Sequence, residues 1–113
     1  MPRGHRRGAN LDIQIKKGVL DACVLYALKN GESYGYKIIN DLKGIIDISE
    51  STLYPILKRL EAGGALKTYN REFNGRIRRY YYLTAEGEKK LNEYKYDFES
   101  VILIYKKIFG ERL

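Results

Sequence analysis

The chain has 113 residues, 44% of them hydrophobic and 31% charged, and a net charge of +7. That balance describes one folded domain with a small core that a partner subunit would help to complete. No apolar run approaches the roughly 20 residues needed to cross a bilayer, and the basic start Met1-Pro-Arg-Gly-His-Arg-Arg7 lacks the apolar stretch of a secretion signal. A single cysteine, Cys23, and a single histidine, His5, exclude an internal disulfide and a zinc site. Such cysteine usage points to a reducing, cytoplasmic compartment.

The first predicted element is a helix over residues 12–29, with Asp12 as its N-cap and Asn30-Gly31 as its stop signal. Its second half, Val19-Leu-Asp-Ala-Cys-Val-Leu-Tyr-Ala-Leu28, is apolar nearly all round, which implies burial on two faces. A short second helix follows over Tyr34–Leu42, capped by Ser33, with Ile38, Ile39 and Leu42 inward and Tyr36 available for packing. A third helix runs from Ser49 or Glu50 to Ala62. Leu53, Ile56, Leu57 and Leu60 form its apolar stripe, Pro55 lies near its first turn, and Gly63-Gly64 ends it.

Leu66–Phe73 and Ile77–Leu83 read as strands joined by Asn74-Gly75, a hairpin turn in which both residues accept positive φ. Alternation puts Ile77, Arg79, Tyr81 and Leu83 on the core side and Arg76, Arg78, Tyr80 and Tyr82 on the other. Thr84 caps the last helix. Its residues Leu91, Tyr94, Phe98, Val101, Tyr105 and Ile108 are spaced 3, 4, 3, 4, 3, a heptad seam widened by Ile102 and Phe109. Three small helices and a hairpin cannot bury that seam, so a second copy is expected to cover it.

The charge is uneven. Arg3, Arg6 and Arg7 carry +3 in residues 1–10, and residues 64–83 carry +4, from Lys67, Arg71, Arg76, Arg78 and Arg79 against Glu72. A basic hairpin behind a helix that opens with four hydroxyl-bearing residues, Ser49, Ser51, Thr52 and Tyr54, suits duplex DNA. Hydroxyls and amides at a helix start hold phosphates, and a first turn laid in the major groove reaches base edges. Lys58 and Arg59 follow on the same helix. The layout predicts an α+β, mostly α, winged helix-turn-helix followed by a long C-terminal dimerisation helix. Residues 1–11 form a flexible basic arm, 12–83 the DNA-binding domain and 84–113 the dimerisation helix. No phosphate loop, nucleophile elbow or metal-ligand cluster is present, so an enzyme and a cofactor are not expected.

Three segments, Gly31-Glu-Ser-Tyr-Gly-Tyr-Lys-Ile38, Ser51-Thr-Leu-Tyr-Pro-Ile-Leu-Lys-Arg-Leu-Glu61 and Arg78-Arg-Tyr-Tyr-Tyr-Leu-Thr-Ala-Glu-Gly87, resemble the PadR family of winged-helix transcriptional regulators, in particular its short members with one C-terminal helix. The resemblance spans about residues 12–109. It implies a homodimer built through the first and last helices, with Leu91, Tyr94, Phe98, Val101, Ile102 and Tyr105 at the interface. It implies a palindromic operator, usually repressed. DNA contacts would fall on Tyr34, Ser51, Thr52, Tyr54 and Lys58, and on the wing at Asn74, Gly75 and Arg76, with Arg78 beside them. Ser51 stands where many members have glycine. Some short members bind flat aromatic drugs in a pore at the dimer centre, using a tryptophan on the last helix. Here Phe98 takes that place, facing Tyr26, with Ile102 one turn on. The rival functions are therefore a sensor of hydrophobic small molecules at the dimer interface and a winged-helix protein-interaction module.

Overall fold

The computed structural model describes residues 13–110, so the Arg-rich arm and the Asp12 cap lie outside it. The elements run α1 (Ile13–Ala27), α2 (Gly35–Leu42), α3 (Glu50–Ala62), β1 (Leu66–Phe73), β2 (Arg76–Leu83) and α4 (Ala85–Phe109). Three helices pack around one core, a two-stranded antiparallel hairpin leans on it, and a long helix leaves from the hairpin's end. That is the winged helix-turn-helix with a C-terminal helix.

The core forms where the apolar stripes of the three short helices meet. Leu20, Val24, Leu25 and Leu28 come from α1, Ile38 and Leu42 from α2, and Leu53, Ile56, Leu57 and Leu60 from α3. Leu66 and Tyr81 close it from the hairpin side. The second face of α1, expected to need a partner, is partly covered by its own chain: Leu91 and Tyr94 of α4 pack against the core and line a cleft with Cys23.

The element ends follow their signals, with two exceptions. Ser49 caps α3, its Oγ accepting from the Thr52 amide at 3.3 Å. Thr84 caps α4, accepting from the Gly87 amide at 3.0 Å while its own hydroxyl donates to the Gly64 carbonyl at 2.6 Å. Gly87 is required there, because a Cβ would overlap the Ala65 carbonyl. The first exception is Ser33, which does not cap α2. Tyr34 occupies the N-cap position with no side-chain cap. Ser33 instead pairs with β2 as a short third strand, its amide donating to the Tyr81 carbonyl at 3.0 Å and its carbonyl accepting from the Tyr81 amide at 2.7 Å. The second is Pro55, the sixth residue of α3 rather than one of its first turn. It offers no amide to the Ser51 carbonyl, which is left without its i+4 donor at the exposed start of the helix.

In the hairpin Phe73 pairs with Arg76 across Asn74 (φ 53°) and Gly75 (φ 77°), the two-residue turn that the sequence requires. The simple two-face reading of β2 fails. Tyr81 is buried as expected, but so is Tyr80 on the opposite face, while Ile77 is 70% exposed. Tyr80 is covered by Tyr34 in an edge-on contact and by Tyr69 stacked on it, both at 5.5 Å between ring centroids. Ile77 sits too close to the tip for the core to reach. Tyr36 is also exposed, so it packs no core.

Candidate nucleic-acid interface

The start of α2, the middle of α3 and the hairpin tip enclose an open groove of about 710 Å³. It brings together Tyr34, Tyr54, Asn74, Arg76 and Arg78, five of the side chains singled out in the sequence. Gly35 lets α3 approach, since a Cβ at that position would overlap the Tyr54 hydroxyl. Gly75 lies exposed in the turn beside Asn74. Arg76 is exposed and makes no ion pair among the described residues. Ser51, Thr52 and Lys58 do not line this groove; they stand exposed along α3.

The hydroxyls at the α3 start form one cluster. Ser49 Oγ donates to Thr52 Oγ1 at 3.1 Å and lies 3.1 Å from Ser51 Oγ. Either hydroxyl of the Ser49–Ser51 pair can be the donor. Each exposed hydroxyl can therefore turn to donate or accept, which suits both base edges and phosphates.

The hairpin charge is less free than its count suggests. Arg71 pairs with Glu32 at 3.1 Å. Arg78 is half-buried, with its guanidinium 4.0 Å from the Tyr34 ring centroid and 4.2 Å from that of Phe73. Arg79 donates to Thr68 Oγ1 at 3.3 Å.

Arg59 stays partly exposed, but its charge is directed inward to α1. Its guanidinium grips Asp21 with two bonds, of 3.0 and 2.8 Å, and the Tyr94 hydroxyl donates to the same carboxylate at 3.0 Å. Asp21 is 1% exposed, and this triad joins α1, α3 and α4. Sequence reasoning missed it, placing Arg59 with the reader residues and Tyr94 wholly in the seam. The available signal was Asp21 itself, one charge inside an apolar run, which must be paired when buried.

A second cleft, of about 630 Å³, lies between α1 and α4. Tyr26, Phe98 and Ile102 line it together with Val19, Ala22 and Cys23. Burial pushes the Cys23 thiol above its usual pKa, which suits an inert packing role. Beyond the cleft α4 loses cover: Val101 is 60% and Ile108 64% exposed, and Tyr105 is exposed with them. No cluster of metal-ligating side chains occurs among the described residues, and no helix among them is long and apolar enough to cross a membrane.

Comparison with known proteins agrees with this architecture. A PadR family transcriptional regulator from Eggerthella lenta superposes with a TM-score of 0.78 at 29% identity, covering 88% of this chain and 89% of that one. A transcriptional regulator from Clostridium thermocellum superposes with a TM-score of 0.77 at 30% identity, covering 88% and 98%. Transcriptional regulator Rv3488 of Mycobacterium tuberculosis is 48% identical over 46 residues, 41% of this chain and 43% of that protein. The sequence profile of the transcriptional regulator PadR-like family matches residues 24–93, more than half of the chain. This protein belongs to that family of transcriptional regulators.

Proposed function

We propose that the protein is a cytoplasmic repressor that binds a palindromic operator in duplex DNA as a homodimer. The observation that carries this reading is the groove in which Tyr54 of α3, Tyr34 at the N-cap of α2 and Asn74 and Arg76 of the wing converge. A helix presenting its polar start in the major groove, with a basic hairpin on the flanking backbone, is how such folds read DNA. Ser51, Thr52, Tyr54 and Lys58 form the reading face, and Tyr34, Asn74, Gly75 and Arg76 hold the backbone. Residues 12–83 act as the reading unit and 84–113 as the dimerising helix. The uncovered apolar residues of α4 support the dimer, because a second copy's α1 and α4 offer matching surface. Two-fold symmetry then sets two α3 helices in major grooves about 34 Å apart.

Fluorescence anisotropy against the protein's own upstream DNA and a scrambled duplex, titrated over salt, tests this. Tight, selective, salt-sensitive binding is expected. Arg76→Ala should weaken binding to both duplexes and lower the salt slope by about one. Tyr54→Ala should instead narrow the gap between them. Equal, weak binding to both duplexes would sink the operator reading in favour of a protein-interaction module.

The α1–α4 cleft favours a second role on the same scaffold, a sensor of flat hydrophobic molecules. Tyr26, Phe98 and Ile102 already line one space within a single chain. Planar aromatic compounds should quench tyrosine emission, and Phe98→Ala should abolish the effect.

A further inference from the structure

The hairpin receives a third strand only at Ser33, opposite Tyr81. From Tyr81 to the turn the two strands project alone, about 17 Å of hairpin at the usual rise per residue. A lone two-stranded hairpin is marginal in water, and Ile77, the apolar residue of β2 nearest the tip, packs on nothing in the core. Yet Asn74 and Arg76 contribute to a groove only if the tip holds its place over α3. Something must hold it.

We propose that Arg78 does so: it is the positioning residue of the wing and not a phosphate ligand. This rests on the DNA-binding reading of the groove. Its guanidinium lies between the ring of Tyr34, the N-cap residue of α2, and the ring of Phe73, the last residue of β1. One edge donates to the Tyr80 hydroxyl at 3.3 Å. A single side chain on β2 thereby ties both strands of the tip to the body. Close contact with two rings at once suits a planar guanidinium better than a compact, strongly hydrated ammonium. Arg71, directly opposite Arg78 on β1, repeats the device, 4.8 Å from the Tyr80 ring centroid and paired with Glu32. The wing therefore stands preformed, and Arg76 is the arginine left for phosphate.

The test compares Arg78→Lys, Arg78→Ala and Phe73→Ala with Arg76→Ala in two measurements. The first is amide hydrogen exchange of the DNA-free protein. All three clasp variants should speed exchange of the wing amides by about tenfold, while the amides of the α1–α3 core keep their rates. Phe73 is outside the core, so its variant folds even if an Arg78 variant does not. The second is DNA binding against salt. Arg78→Lys and Arg78→Ala should lose affinity at an unchanged salt slope, whereas Arg76→Ala lowers the slope and leaves exchange alone. Arg78→Ala lowering the slope, with Arg78→Lys binding as the parent does, would show a phosphate ligand and overturn the proposal. Unchanged wing exchange would overturn it equally. A parent protein that ignores duplex DNA sinks the DNA-binding reading, and the exchange rates alone then decide the clasp.

Discussion

Asp21 carries more of the tertiary structure than any other polar residue described. A carboxylate 1% exposed is tolerable only because Arg59 and Tyr94 occupy its oxygens. Asp21→Ala should destabilise the fold by about 3 kcal/mol, the lower end for breaking a buried pair because Arg59 keeps solvent contact and can rehydrate. Urea denaturation measures this, and a loss within experimental error of zero would mean the triad is incidental. The triad also sets a pH dependence. Burial first, and then the hydrogen bond to Asp21, push the Tyr94 hydroxyl up to about 12 from the ordinary 10.0. Below pH 10 the hydroxyl is protonated in both the folded and the unfolded chain, and its contribution is complete. That contribution is lost as pH rises from 10.0 through about 12, because the unfolded chain ionises first. The tyrosinate absorbance should therefore lose its latest-titrating component in Tyr94→Phe.

Among the elements, α3 and the hairpin show most plainly what sequence patterns convey. The stripe Leu53, Ile56, Leu57, Leu60 is buried as its spacing demands, and Asn74-Gly75 makes the turn that its chemistry allows. Strand alternation was legible only where the core reaches. It holds at Tyr81 and fails at Tyr80 and Ile77, because α2 presents Tyr34 to one face of the hairpin and nothing covers the other at the tip. The approach of α2 to α3 yields a prediction. Gly35→Ala places a methyl where the Tyr54 hydroxyl lies. The displaced group is the far end of a half-free side chain, so it can swing aside. Gly35 is the first residue of α2, so losing glycine there gains less than the about 0.5–1 kcal/mol of a helix interior. Denaturation should show stability held or slightly raised. The selectivity of DNA binding should fall, as in Tyr54→Ala. Unaltered selectivity would remove Tyr54 from the reading face.

At the scale of the whole molecule the exposed end of α4 dominates. Val101, Tyr105 and Ile108 extend beyond the chain's own cover, and a solvated apolar ridge of that kind marks an interface. Val101→Asp, placing a charge in that ridge, should raise the dimer dissociation constant about a hundredfold or more, roughly 3 kcal/mol. Sedimentation velocity would read the shift toward monomer. A parent chain that already sediments as a monomer would refute the assembly proposed above. The order and type of every element, the turn, the cap at Thr84, the apolar stripes and the family were legible in the chain alone, because periodicity and local hydrogen bonding are properties of neighbouring residues. Only the tertiary structure decided that Arg59 serves Asp21, that Ser33 joins the hairpin, that Tyr80 is buried and that Arg78 sits between two rings. Asp21 and Arg59 are 38 residues apart, the partners come from different elements in each case, and no local pattern records which side chain of another element a fold will bring alongside.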